Sequence, residues 1–483
     1  MRPTFKKEKI FFVYPPSPIM NREDRCQQLV DIATLSSANV PLDMLTLGAI
    51  AKNCGYETKF KDYSLNQENT HDFIRDLREY KPDFLVINVA STNLENDLSI
   101  LKEANDLLSE TIVIAKGAVF NFQSYSIAQK HPEIDIILKG EEEEAFEEII
   151  KYKPLNEIKG ILYQVKNKVT ATPRREPKPN LDFLPIPDRD LIDNKIYLDP
   201  ITRKPQTIIR VSKGCPNGCF FCLATPLNGN IRYRSPELII KEIKQCIAKY
   251  NIRNFVFWAD VFNYDKEYVR NLCNLIIREK LKIKYCTSTR ADTVDLQTLK
   301  LMKKSGCYLL TMGVESGSQE ILDKIGKNLT LSQIEEAVKT IEGVGIKLHT
   351  YYVLGLPWET TETLNMTYKF ASKLNTCYAS FFTAAALCGT KFFEYINRKR
   401  LANKIYEKPY VYPNAETFEL NEKIIYDCYR KFNKNYYKRP IYTLKMAKYI
   451  NYKMLATKTI RRIRNFPKLL KRFPLLRRLQ QHH

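Results

Sequence analysis

Cys215, Cys219 and Cys222 stand in the run Val-Ser-Lys-Gly-Cys-Pro-Asn-Gly-Cys-Phe-Phe-Cys, a C-x3-C-x2-C triplet on a loop that follows an apolar strand pattern. Three thiolates on one short loop can ligate three irons of a cubane [4Fe–4S] cluster and leave the fourth iron open to a substrate. Two simpler readings compete. Cys219-Phe-Phe-Cys222 is formally a redox C-x-x-C, which leaves Cys215 surplus. A structural zinc needs a fourth ligand, usually from a second C-x2-C or a His pair, and none is spaced for it. Gly214 and Gly218 permit the tight turns that wrap a backbone around a cluster, and Phe220 and Phe221 are placed to shield it from water.

The elements that must position this loop are legible on both sides of it. From Thr207 onward, strand patterns at Thr207–Val211, Asn254–Trp258, Lys284–Thr287, Tyr308–Val314, Leu348–Leu354 and Ala379–Ala385 alternate with helical ones. Six β/α units in series predict a TIM-like barrel or open part-barrel, (β/α)6, with chemistry on the loops at the carboxyl ends of its strands. The triplet lies just past the first of them. Upstream, residues 8–150 carry short apolar runs, Ile10–Tyr14, Phe84–Val89, Thr111–Ala115 and Ile134–Leu138, with a weaker strand at Thr58–Asp62. Amphipathic helical stretches such as Leu42–Asn53 and Asp72–Tyr80 separate them. This alternation predicts an α/β, Rossmann-like doubly wound parallel sheet that binds ligands at its carboxyl edge. Between the two halves, Ile161–Val165 and Lys168–Thr172 read as a small hairpin and Pro173–Pro187 as a linker. The expected division is 1–155, a Rossmann-like domain; 156–204, hairpin and linker; 205–400, the barrel; and 401–483, a basic, mainly helical C-terminal extension.

Composition narrows the class. A hydrophobic content of 44% over 483 residues supports two or three domains with substantial cores and argues against wholesale disorder. The start of the chain offers only a short apolar run before Pro15 and Pro16, too short for a signal peptide, and no apolar run approaches the length of a bilayer span. The expected location is therefore the cytoplasm, where twelve Cys serve as thiols and metal ligands rather than as a disulfide framework. The net charge of +22 is uneven: residues 430–483 hold 17 Lys or Arg and no Asp or Glu, which leaves +5 for the rest.

With Phe221 just before its last Cys, the triplet resembles the C-x3-C-x-aromatic-C signature of the radical S-adenosylmethionine (SAM) superfamily. The likeness continues in order along residues 205–375. Arg232-Tyr-Arg-Ser-Pro-Glu is similar to the segment after the cluster loop in the cobalamin-dependent branch. Phe257-Trp-Ala-Asp260, Thr287-Ser-Thr-Arg290-Ala-Asp, Gly313-Val-Glu315-Ser316-Gly317-Ser and Val353-Leu-Gly355-Leu-Pro357-Trp-Glu359-Thr resemble the ends of the following strands. The resemblance implies that the open iron chelates the amino and carboxylate groups of SAM. One electron then cleaves the S–C5′ bond, and a 5′-deoxyadenosyl radical abstracts a substrate hydrogen. It implies SAM contacts from Arg290 to the carboxylate, Glu315 and Ser316 at the ribose, Gly355 at the adenine and Asp260 near the amine. A salt-bridge network at the barrel rim is the alternative for Asp260, Arg290 and Glu315. A one-electron donor such as flavodoxin or ferredoxin is implied as a partner.

Residues 8–150 resemble the B12-binding domain that precedes such barrels. Pro41-Leu-Asp-Met-Leu-Thr-Leu-Gly48-Ala-Ile-Ala is similar to its first helix, Lys81-Pro-Asp-Phe-Leu-Val-Ile-Asn-Val-Ala-Ser91-Thr92 to its third strand and Gly140-Glu141-Glu-Glu143 to its Gly-Glu-x-Glu turn. Ser91, Thr92, Gly117 and Glu141 are the implied cobalamin contacts. The chain departs from the pattern in two places. Lys116-Gly117-Ala118-Val119-Phe120 replaces the usual Gly-Gly-x-His, and no Asp-x-His-x-x-Gly supplies a lower axial His. A domain that packs on the barrel and binds nothing is the alternative. The resemblance implies methylation of an unactivated carbon through methylcobalamin, with cyclisation or rearrangement, or a cobalamin-free radical SAM reaction, as rivals.

The C-terminal extension alternates basic with apolar residues at Thr457–Arg464 and Phe466–Leu479, and Pro467 and Pro474 break any long helix. Three readings stand: peripheral attraction of residues 430–483 to anionic lipid, matching a lipid-like substrate; nucleic-acid binding, as in an RNA-modifying enzyme; and a solvated tail. The other cysteines, at 26, 54, 246, 273, 286, 307, 377, 388 and 428, lack cluster spacing and read as core residues, with Cys286 and Cys307 on or near barrel strands.

Overall fold

Odd and even residues of the first strand, Lys9–Tyr14, go to opposite cores, as the two-residue period of a strand requires. Ile10 and Phe12 pack with Met44, Leu47 and Phe146 on one face. Phe11 and Val13 pack with Phe73, Leu77, Leu98 and Leu101 on the other. The computed structural model describes residues 8–22, 28–29, 38–166, 168–399 and 417–447. Its first sheet runs Glu57–Asp62, Lys9–Tyr14, Phe84–Asn88, Ile112–Lys116, Ile136–Leu138, Ile161–Val165 and Lys168–Ala171. The first five strands are parallel. The order reverses between Lys9–Tyr14 and Phe84–Asn88, which opens a crevice at their carboxyl ends.

Three expectations change here. The hairpin is not a separate linker element: Ile161–Val165 pairs antiparallel with Ile136–Leu138 and extends the sheet to seven strands. An apolar edge left open after Leu138 would expose its backbone polar groups, and the hairpin covers it. The Pro-rich stretch is anchored, since Leu181 and Leu184 are buried and Asp182 accepts from the Ser235 N–H. The helix Leu42–Asn53 has the expected bounds but is buried on two sides rather than one. Met44 and Leu47 face the sheet, while Leu42 and Leu45 pack with Ile208, Val256 and Trp258 of the second half.

The second sheet runs Gln206–Arg210, Asn254–Trp258, Lys284–Thr289, Cys307–Glu315, Lys347–Leu354 and Tyr378–Thr383, all parallel and in sequence order. It is an open six-stranded part-barrel. Helices between the strands start where the sequence supplies caps: Pro236 at the first turn of Pro236–Tyr250, and capping boxes from Thr330 and Thr360 at Leu331–Gly343 and Thr361–Leu374. The described residues up to Asn433 belong to one compact unit and those from Lys434 to Ala447 to a second. In the extension the described helices are Glu422–Tyr436 and Pro440–Ala447, and residues 448–483, with the patterns at 457–464 and 466–479, lie outside the described residues, as does Cys26. Among the described residues, no helix is long and apolar enough to cross a membrane.

Candidate functional site

The cluster loop leaves the barrel's first strand through a two-stranded ribbon, Ser212–Lys213 paired with Arg232–Tyr233. Its neck closes at Gly214, whose φ is +103° and whose added Cβ would lie 2.2 Å from the Asn230 carbonyl oxygen. The Gly214 N–H donates to Asp260 Oδ2 at 2.7 Å, and the Cys215 N–H to the Gly229 carbonyl at 3.0 Å. Asp260 therefore anchors the loop, where the sequence had placed it near the amine of SAM. Thr225 Oγ1 donates to the carbonyls of Cys215 and Asn217. Phe220 is the outer anchor. Its N–H donates to the Ile325 carbonyl, its carbonyl accepts from the Phe392 N–H, and its ring lies among Trp358, Phe392 and Tyr395 at 4.9, 5.5 and 5.7 Å.

The donor set fits an iron–sulfur cluster. All three cysteines are free thiols. Asn217 Nδ2 lies 3.6 Å from Cys215 Sγ, and the Ala224 N–H 3.4 Å from Cys222 Sγ. N–H groups aimed at sulfur tune a cluster's potential. Among the described residues no three His, Cys, Asp or Glu side chains converge closely enough to hold a single ion.

Around Cys219 the barrel's strand ends converge. Burial pushes its thiol up, the Lys327 and Arg290 cations pull it down and Glu315 pushes it up. Arg290 holds Asp292 bidentately at 3.0 Å through Nε and Nη2, and Nη2 also donates to the Lys327 carbonyl; Nη1 reaches to 4.0 Å from Cys219 Sγ. Glu315 Oε1 accepts from Lys327 Nζ at 2.8 Å, with both residues buried. Glu315 has φ +71° at a register shift of its strand, a conformation that costs a non-glycine residue about 1 kcal/mol or more. Its carboxylate folds back over Gly313, where an added Cβ would meet Oε1 at 2.1 Å. Lys327 was not foreseen; it sits in the Gly326-Lys327-Asn328 turn, which carries no spacing signal.

Ser316 and Gly355 each make contacts within the protein. Ser316 Oγ lies 3.1 Å from Thr367 Oγ1 and accepts from the Ser318 N–H, so it ties its loop to a helix. Gly355, at φ +92°, turns its bare Cα toward Ile425, 3.0 Å from where a Cβ would stand. The N–H groups of Gly355 and Leu356 both donate to Glu359 Oε2, at 2.6 and 3.0 Å, while the buried Oε1 has no partner among the described residues. Burial pushes the Glu359 carboxyl up to about 8, against those two donors. A folded-state pKa raised above the unfolded value stabilises the fold below the ordinary carboxyl range and loses that contribution as pH rises through about 8. Glu359→Gln is therefore expected to melt roughly 2 °C or more above the wild type near pH 9, with the gap closing near pH 5. Thermal melts at the two pH values check this.

In the first sheet, the crevice end of Phe84–Asn88 carries buried acceptors without partners among the described residues: Asn88 Oδ1, Thr92 Oγ1 and Asn93 Oδ1. Arg22 and Asp97, both fully buried and 2.5 Å apart, brace this loop; Asp97 also accepts from the Ala90 N–H and Asn93 Nδ2. Beside it, Gly117 has φ +144°, and an added Cβ would lie 2.1 Å from the Val89 carbonyl oxygen. Unsatisfied acceptors next to a turn that admits only glycine fit a large amide-bearing ligand such as cobalamin, whose N–H groups would satisfy them. Ser91 is buried in the same loop. Glu141 is not turned to this crevice: both its oxygens accept from Arg232 at 2.8 Å. Burial pushes its carboxyl up, but Arg232 and Lys213 together hold it below its ordinary value.

Residues 209–371 match the family model described as the radical SAM superfamily, and residues 29–150 that of the B12 binding domain. An uncharacterized methyltransferase of Pyrococcus horikoshii is 29% identical over 397 residues, covering 81% of this chain and 83% of that protein. The anaerobic magnesium-protoporphyrin IX monomethyl ester cyclase of Rubrivivax gelatinosus is 26% identical over 68% of this chain, which spans only 61% of the cyclase's length. Among solved structures, the cobalamin-dependent S-adenosylmethionine radical enzyme OxsB, with aqua-cobalamin and S-adenosylmethionine bound, is similar in fold. Its TM-score is 0.68 at 15% identity, covering 89% of this chain and 66% of that one.

Proposed function

Because the chain belongs to the radical SAM superfamily and to the branch that carries a B12-binding domain, we propose that it is a cobalamin-dependent methyltransferase acting on an unactivated carbon of a small molecule. The observation that carries this reading is the junction of the two halves: Arg232, at the neck of the cluster loop, is bonded to Glu141, on the turn after strand Ile136–Leu138. Two cofactor sites joined there can serve one substrate. When bound, the [4Fe–4S] cluster supplies the electron that cleaves SAM, and cobalamin carries the methyl group.

The chain's own residues do the positioning. Cys215, Cys219 and Cys222 hold the cluster, and Asp260 and Phe220 fix the loop that bears them. Asp292 and the Lys327 carbonyl hold the Arg290 guanidinium with its Nη1 turned toward Cys219, where it offers a charge-assisted hydrogen bond to the SAM carboxylate. Glu315, oriented by Lys327, accepts from the ribose hydroxyls. Gly117, Asn88, Thr92 and Asn93 receive cobalamin. Arg290→Ala is expected to weaken SAM binding about tenfold with the iron content unchanged, measured by titrating SAM against the signal of the reduced cluster.

The reading is tested by incubating the reconstituted enzyme with small-molecule extract and SAM bearing a trideuterated methyl group. A product carrying the label supports it. Consumption of SAM to 5′-deoxyadenosine with only unlabelled, cyclised products supports the second reading, cyclisation, which the similarity to the cyclase favours. The electron donor is a small flavodoxin or ferredoxin. The C-terminal extension touches anionic lipid: Ile441 and Leu444 are exposed on Pro440–Ala447, beside Arg439 and Lys445.

A further inference from the structure

We propose that Glu141, Arg232 and Lys213 form a clamp through which occupancy of the cobalamin crevice sets the geometry of the cluster loop, so that cobalamin and SAM bind cooperatively. This inference rests on the cofactor reading above and adds a link between the two sites.

Lys213 and Arg232 face each other across the ribbon at the two ends of the cluster loop. Everything between them, residues 214–231, is the excursion that carries the three cysteines. Both cations reach one carboxylate on the other half of the protein. Arg232 donates twice to Glu141 at 2.8 Å, and Lys213 Nζ lies 3.6 Å from Glu141 Oε1 and 4.0 Å from Glu143 Oε1. The neck has no slack, because Gly214 already lies against the Asn230 carbonyl. A displacement of Glu141 is therefore felt at both ends of the loop at once.

Glu141 is in turn tied to the crevice. Gly140, at φ +72°, donates its N–H to Asn121 Oδ1 at 2.6 Å. Asn121 lies in the first turn of the helix Phe120–Lys130, which begins just after the Gly117 turn. The charges around the clamp are balanced: Asp43 pairs with Arg210, and the fully buried Lys116 lies 3.0 Å from Glu142 and 3.9 Å from Asp43. Four acids, Asp43, Glu141, Glu142 and Glu143, meet four bases, Lys116, Arg210, Lys213 and Arg232, so a change in any one partner leaves a poorly compensated charge nearby. A network with this stake in its geometry transmits displacement rather than absorbing it. Linkage then requires reciprocity: the factor by which cobalamin changes SAM affinity equals the factor by which SAM changes cobalamin affinity.

The test is a pair of titrations on the full-length, cluster-reconstituted enzyme. SAM affinity is read from the signal of the reduced cluster with and without hydroxocobalamin. Hydroxocobalamin affinity is read from its visible spectrum with and without SAM. In the wild type each ligand is expected to tighten the other about fivefold or more, by the same factor. Glu141→Gln is expected to bring that factor to about one while the iron content stays unchanged. Lys213→Met, which leaves the Arg232–Glu141 pair in place, is expected to lower the factor partway, and it carries the test if Glu141→Gln fails to fold. A wild-type factor of one, or a wild-type factor retained in either variant, overturns the clamp. Failure of hydroxocobalamin to bind the wild type at all overturns the reading of the crevice and the clamp with it.

Discussion

Replacing Cys215, Cys219 or Cys222 by Ala abolishes formation of 5′-deoxyadenosine from SAM, with loss of the cluster's absorbance and of bound iron. The expectation follows from the loop's construction. Its only thiols are these three, and no other cysteine is spaced to substitute. The effect should be complete rather than partial, because a cubane needs three protein ligands to leave one iron open to SAM. Fold loss is separable: Cys219 and Cys222 are only half-buried, so their replacement leaves the barrel core of Phe255, Phe257 and Tyr285 intact. The check is SAM turnover together with thermal stability. A triple-Ala protein that still holds a [4Fe–4S] signal would require other ligands.

Gly117→Ala weakens hydroxocobalamin binding by at least about tenfold and leaves the iron content of the cluster unchanged. At φ +144° the position is hostile to any side chain, and the new methyl would lie 2.1 Å from the Val89 carbonyl oxygen, inside van der Waals contact. That carbonyl belongs to backbone between the strand and the loop bearing Thr92 and Asn93, so relief must move the crevice wall. A backbone conformation of this kind costs roughly 1–3 kcal/mol on its own, and the clash adds to it. Spectrophotometric titration with hydroxocobalamin measures the loss, and iron analysis of the same preparation measures what is retained.

Most of the scaffold could be read before any coordinates, because its signals are local. Asn254–Trp258, Ile161–Val165 and Leu42–Asn53 have the expected bounds, and the other named strands differ only at their ends. A buried parallel strand is a short apolar run between turn residues, and such runs are visible in one dimension. The errors came from partners far away in sequence. Leu42–Asn53 looked amphipathic because nothing local says that Leu42 and Leu45 will pack on Ile208 and Trp258. The hairpin at Ile161 looked isolated because its partner strand lies more than twenty residues upstream.

The site divides in the same way. The cysteine loop was legible because its three cysteines fall within eight residues. Arg290 and Glu315 were legible by position at strand ends, and the structure brings both beside Cys219. Lys327 was invisible, since it faces Glu315 from a turn with no motif. The partner of Glu141 was invisible: its carboxylate meets an arginine 91 positions away in the chain. Ser316 and Gly355 illustrate the remaining limit. A residue at a strand end can also serve the loop's own hydrogen bonds and packing, which no local motif announces.

The central claim, one radical SAM cluster and one cobalamin serving a single methyl transfer, is tested most directly by the metals themselves. The protein, reconstituted without oxygen in the presence of iron, sulfide and hydroxocobalamin and then desalted, should carry about four irons and about one cobalt per chain. Added SAM should change the electron paramagnetic resonance spectrum of the reduced cluster. Iron below about one per chain, or a spectrum indifferent to SAM, would contradict the radical SAM assignment; a full cluster without cobalt would contradict the methylation mechanism.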